Sequence, residues 1–173
     1  MPRVIDYKGQ RVGVFIDVQN MYYSAKNLYG KKVNFANLLR DARGERTLIR
    51  AIAYVIRAEA TKEDTFFGAL DAIGFEVRAK DIQIFAGGAK KGDWDIGIAM
   101  DAIETAPRLD VVVLVSGDGD FVPLLEHLRR ALGCKVEVMA FGPSTSAKLK
   151  EAADVFVDLD KDSRRYVIAK EAR

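Results

Sequence analysis

The chain of 173 residues has one cysteine, one histidine, one tryptophan and four prolines. A lone Cys134 excludes an intramolecular disulfide and any zinc site built from the cysteines of one chain. It follows an apolar helical stretch and opens "CKVEVMAF", which marks it as a small core residue. His127 lies mid-helix in "LLEHLRR". Ser-His-Asp or Cys-His chemistry would have to run through it, and no nucleophile motif points that way; it reads as a surface or core-edge side chain. No hydrophobic stretch approaches the length of a bilayer span, and the start, "MPRVIDYKGQR", lacks the apolar run of a signal peptide. The expectation is a soluble, cytoplasmic protein with no membrane partner. An excess of either charge is also missing. With 27 Lys and Arg against 25 Asp and Glu the formal charge is +2, which argues against a protein that coats polyanions through bulk charge. No glycine-rich loop ends in Gly-Lys-Ser/Thr, so a P-loop nucleotide site is excluded. There is no internal repeat and no low-complexity linker.

The length suits one domain with a proper core. Four stretches, Val12 to Ile16, Ile49 to Ile56, Val111 to Val115 and Val136 to Phe141, are apolar and β-branched rather than alternating. Strands buried on both faces have this composition, and parallel sheets covered by helices are their usual home. Phe75 to Phe85 alternates more and suggests a hairpin-like or edge element, and Asp154 to Leu159 a short last strand. Helical patterns fall between: residues 18 to 30 ending at Gly30, 61 to 74 ending at Gly74, 93 to 106 stopped by Pro107, and 121 to 133 with Pro123 in the first turn. Alternation of strand and helix predicts a three-layer α/β/α, Rossmann-like domain with a mainly parallel central sheet over residues 10–160. Residues 161–173 form a charged C-terminal tail, expected as a frayed helix or as disorder.

In open α/β sheets ligands bind beyond the carboxyl ends of the strands. Asp17, Gln19 and Asn20 follow the first strand; Ser116, Asp118 and Asp120 follow Val111 to Val115. Asp93 and Asp95 open a helix behind "AGGAKKG", a lysine-bearing loop containing Lys91. Three segments thus place carboxylates at junctions that can share one sheet edge. Two carboxylates about 4 Å apart repel by about 4 kcal/mol at an effective dielectric near 20. Such a cluster calls for a cation or for protonation, and a hard divalent ion, Mg²⁺ or Mn²⁺, supplies the cation. The structural alternative is that a single aspartate at these positions caps a helix, a reading open for Asp93, Asp118 and Asp120. Asp17 has no capping-box partner. Asp101 lies about 240° around the helix from Asp95 at 100° per residue and is expected in solvent or behind the site. Arg40, Arg43, Arg46 and Arg50 read as a solvated face. Tyr22, Tyr23, Tyr29 and Trp94 are candidates either for core packing or for stacking on unpaired bases.

The blocks "VFIDVQNMYYSAK", "KKGDWDIGIAMDAIETA" and "VVLVSGDGDFVPLLEHLRRALGCKVEVMAF" resemble the three signature blocks of the NYN domain family, in its bacterial LabA-like branch. The resemblance covers about residues 10 to 160. It implies a PIN-like fold with a five- or six-stranded sheet of order 3-2-1-4-5, and metal-dependent ribonuclease activity at the carboxyl edge. Asp17, Asp95, Asp118 and Asp120 are then the implied metal ligands and catalytic groups. Asn20, Lys91, Ser116 and Trp94 are the implied substrate contacts, and RNA is the implied partner. A homodimer is compatible with the sequence, which contains nothing that decides it. The alternative is a non-catalytic regulatory module that binds RNA, a nucleotide or a protein through the same pocket. All four expected ligand positions being acidic favours the enzyme. A dehalogenase-type phosphohydrolase needs Asp-x-Asp followed by Thr after its first strand, and this strand ends "DVQN".

Overall fold

Val111–Val115 is buried at every residue and sits inside a six-stranded sheet with parallel neighbours on both sides. The computed structural model describes residues 7–57, 60–88 and 90–169, apart from the side chains of 60–62, 90 and 91. Within these, β1 (Arg11–Asp17) leads into α1 (Val18–Tyr29), β2 (Lys32–Val33), α2 (Phe35–Arg43), β3 (Thr47–Arg57) and α3 (Ala60–Ile73). The edge strand β4 (Glu76–Asp81) and a small hairpin, β5 (Gln83–Ile84) with β6 (Lys90–Lys91), precede α4 (Asp95–Thr105). Then come β7 (Val111–Val115), α5 (Val122–Arg130), β8 (Lys135–Ala140), α6 (Ala147–Ala152), β9 (Val155–Asp158), α7 (Ser163–Tyr166) and β10 (Val167–Ile168).

The large sheet has the order β4-β3-β1-β7-β8-β9, and every pairing in it is parallel. Numbering only its strands along the chain gives 3-2-1-4-5-6, the expected order with a sixth strand added. The period of two along β1 builds the layers. Val12, Val14 and Ile16 face one core with Met21 of α1, Leu38 of α2 and Leu70 of α3. Phe15 faces the other, with Ile98 of α4, Leu125 and Leu128 of α5 and Leu149 of α6. Cys134 is buried there, as expected. The order reverses between β1 and β7, so a crevice opens outside the carboxyl ends of these two strands.

Two expectations are corrected and one element is added. Arg40 and Arg43 are exposed, as expected, and lie on the helix α2, with Phe35, Leu38, Leu39 and Ala42 buried at i, i+3, i+4 and i+7. Asn34 caps it, its side chain accepting from the Asn37 N–H at 3.0 Å, and Gly44 ends it at φ 60°. Asn34→Ala is expected to cost about 1 kcal/mol and to lower the melting temperature by about 2–4 °C, measured by thermal unfolding.

Arg46 is not on a solvated face. It is 3% exposed, and its guanidinium donates to both carboxylate oxygens of Glu137 at 2.8 and 2.9 Å. Arg50 likewise pairs with Glu76 at 2.9 Å.

Nor is the tail disordered over residues 161–169. Arg165 grips the Asp41 carboxylate with two bonds of 2.6 Å, the Tyr166 hydroxyl adds a third, and β10 pairs antiparallel with β2. Hydrogen bonds from Arg165, with help from Tyr166 and the nearby charges, hold the Asp41 carboxyl below the usual carboxylate range despite partial burial. Residues 170–173 lie outside the described residues.

Candidate metal centre

Asp17 is the last residue of β1 and also the N-cap of α1, its carboxylate accepting the Asn20 N–H at 3.2 Å. The absence of a capping-box partner therefore does not prevent it from capping. Asn20 also reaches across the crevice, where its side-chain oxygen accepts the Gly117 N–H at 3.0 Å and ties α1 to the turn after β7. In that turn the buried Ser116 hydroxyl accepts the Asp118 N–H at 3.2 Å, and the Asp118 carboxylate accepts the Asp120 N–H at 2.9 Å. The glycines between the acids are there for space. A Cβ on Gly119 would stand 2.7 Å from the Ser146 hydroxyl oxygen, and one on Gly117 would stand 3.0 Å from the Ser144 carbonyl. On the third segment, the Asp93 carboxylate accepts the Asp95 N–H at 3.1 Å, and Asp95 opens α4.

These turns aim their acids at one place. Carboxylate oxygens of Asp95, Asp118 and Asp120 lie within 4.8 Å of one another. Asp17 and Asp93 line the same cleft, of about 540 Å³, together with Asn20 and Ser144. Burial, followed by the charges of Asp118 and Asp93, pushes the Asp17 carboxyl up to about 6; the Asn20 N–H and the Ser116 hydroxyl offset part of the rise. Burial also raises Asp95 to about 6, with Asp118, Asp93, Asp17 and Asp120 adding repulsion. The cleft is therefore an anionic site short of positive charge. A hard divalent ion fits the donor set, which is all carboxylate oxygen.

Not every expected contact faces the cleft. The Trp94 indole N–H donates to the Val55 carbonyl at 2.8 Å, its ring packs on Tyr54, and the Lys80 ammonium sits 4.7 Å above it. Ser116 is fully buried and acts through its neighbours. Lys91 lies on β6, and its side chain is outside the described residues. Asp101, expected in solvent or behind the site, is 8% exposed; it accepts the Tyr54 hydroxyl at 2.7 Å and pairs with Arg78 at 2.9 Å. His127 is exposed on α5. Unforeseen members of the cleft wall are Asn27, which follows Gln19 and Tyr23 at i+8 and i+4 on α1, and Ser144 after β8. The helical period and the strand-end rule, applied to α1 and β8, would have found them.

The raised acids make stability depend on pH and metal. Unfolded aspartates titrate near 3.9, so between about pH 4 and 6 the folded chain holds more protons than the unfolded one and stability falls as pH rises. Asp17 contributes on the order of 2 kcal/mol and the more open Asp95 less. In chelator the melting temperature is expected to drop by about 4–8 °C from pH 5 to pH 7, with Mn²⁺ at pH 7 restoring it, in a fluorimetric melt.

A doubly wound parallel sheet with an aspartate cleft at its switch point defines a three-layer, Rossmann-like α/β domain. The NYN domain model matches residues 11–160, and the chain belongs to the NYN domain family. It is 30% identical to the low amplitude and bright protein LabA of Synechococcus elongatus, over 93% of this chain and 89% of that protein. A crystal structure of a protein of unknown function from Vibrio parahaemolyticus superposes with a TM-score of 0.85 at 35% identity, covering 95% of this chain and all of that one. Among the described residues no helix is long and apolar enough to cross a membrane.

Proposed function

We propose that the protein is a metal-dependent endoribonuclease that hydrolyses RNA phosphodiesters in the aspartate cleft. The observation that carries this reading is the convergence of Asp95, Asp118 and Asp120 within 4.8 Å, with Asp17 in the same cleft. Asp17, Asp95, Asp118 and Asp120 would hold one or two Mg²⁺ or Mn²⁺ ions. A bound ion supplies neutralisation of the carboxylates, a lowered pKa for water and charge for a phosphoryl oxygen.

The chain's own residues do the rest. The Asn20 N–H and the Ser116 hydroxyl hold the Asp17 carboxylate from behind, and Ser116 also accepts the Asp118 N–H, so the Asp17 rotamer and the turn carrying Asp118 are set before substrate arrives. Asp120 is exposed at the mouth, where a phosphodiester enters. Gln19, Asn27 and Ser144 offer neutral donors along the wall, which suits a site whose net charge is already negative. Membership of the NYN family supports RNA as the substrate class.

The test is cleavage of end-labelled RNA and DNA oligonucleotides in Mn²⁺, Mg²⁺ or chelator. Cleavage of RNA that requires the metal supports the reading. A folded, metal-loaded protein that leaves both polymers intact would overturn it in favour of a binding module.

A further inference from the structure

Beside the acidic cleft, a groove of about 340 Å³ runs between α1 and α3, and Gln19 and Tyr23 line both. Its walls are aromatic: Tyr22, Tyr23, Phe66 and Phe67, over a floor that includes Val55. Tyr22, Tyr23 and Phe66 are 47%, 50% and 37% exposed. The Tyr22 and Tyr23 rings meet edge to face at 5.3 Å, an arrangement that presents ring surface to solvent rather than to the core. Cations flank them. The Lys26 ammonium stands 5.9 Å over the Tyr22 ring, and the Arg57 guanidinium stands 5.7 Å from the Phe67 ring.

Exposed rings in a groove, positive charge at its rim and continuity with a phosphodiester-sized cleft are what a strand of unpaired nucleotides requires. A base in a duplex stays stacked and cannot enter. We propose that this groove is a base-binding subsite of the same ribonuclease site. An unstacked base of single-stranded RNA lies against Tyr22 and Phe66, Gln19 reads its edge, and Lys26 and Arg57 meet the backbone. The inference rests on the proposed function for its substrate class. It adds that the substrate is single-stranded next to the cut and that α1 and α3 select it. The other aromatic candidates stand outside the groove, Tyr29 against Phe141 and Asp160 and Trp94 against Val55 and Tyr54.

The experiment measures binding, apart from cleavage. Fluorescence anisotropy of a labelled single-stranded RNA is read with the full chain carrying Asp118→Asn, in chelator, so that nothing is cut. Adding Tyr22→Ala or Phe66→Ala is expected to weaken binding by about 5- to 100-fold, the range of one base–aromatic stack. Tyr22→Phe is expected to restore it, because a phenyl ring stacks as a phenol does; Tyr22 is exposed, so its removal does not threaten the core. A duplex of the same sequence is expected to bind at least ten-fold more weakly and to ignore the substitutions. Equal binding by the Ala variants, duplex binding as tight as single-stranded, or no RNA binding at all would overturn the subsite. If single-stranded RNA binds through the groove while the unmodified chain cleaves nothing, the ribonuclease reading fails and the subsite stands.

Discussion

Asp118→Asn is expected to lower RNA cleavage by on the order of 10³-fold while raising the melting temperature in chelator by about 2–4 °C. The two effects have one cause. Asn keeps the side-chain oxygen that accepts the Asp120 N–H, so the turn stays closed. It removes one negative charge from a set of oxygens within 4.8 Å of one another. Their repulsion reaches about 3 kcal/mol at an effective dielectric near 20, and solvent at the open cleft reduces that to about 1 kcal/mol. The ligand and the repulsion disappear together. Activity assays and melts on the same preparation check the pairing of signs. Loss of activity together with loss of stability would make Asp118 an ordinary cap.

The second large effect lies far from the chemistry. Arg46→Ala is expected to cost about 3–5 kcal/mol, measured by urea unfolding, because it removes both short bonds to the buried Glu137 carboxylate and leaves it with Lys135 alone at 3.2 Å. Burial works to raise Glu137, but the hydrogen bonds and charge of Arg46, with Lys135, outweigh it and hold the carboxyl low. Arg46 also donates to the Ala42 carbonyl at 2.8 Å, so the end of α2 is tied into the same knot. Replacing both partners, with Arg46→Met and Glu137→Met, is expected to cost less than Arg46→Ala alone, since the fully buried charges then go together and Lys135, which loses Glu137, reaches solvent. A double variant as damaged as the sum of its parts would show that each residue acts separately.

These two residues also mark where the sequence is legible and where it is not. Parallel strands buried on both faces announce themselves as continuous apolar runs, so the sheet and its class can be read along the chain. Acids placed after β1 and β7 can be read by the strand-end rule, and the structure brings Asp17, Asp95, Asp118 and Asp120 to one cleft. Arg46 cannot, because Glu137 is 91 residues away and a charge shows no burial in one dimension. The tail is similar: its anchor, Asp41, lies 124 residues before Arg165. Helix α2 is a different case. Asn34, Gly44 and four apolar positions spell it out, but the arginines between them draw the eye to charge. The helical angle separates Asp101 from Asp95 along α4, yet that side of the helix meets Tyr54 of β3 instead of water. Angle along a helix is local; what stands opposite it is not.

The most direct test of the central claim is Mn²⁺ binding, followed by the electron paramagnetic resonance of the free ion. The account predicts saturable binding to the unmodified chain at pH 7, weakened at pH 5 where Asp17 and Asp95 take up protons, and lost in Asp118→Asn. Binding that is absent, or that is unchanged by Asp118→Asn, would contradict it.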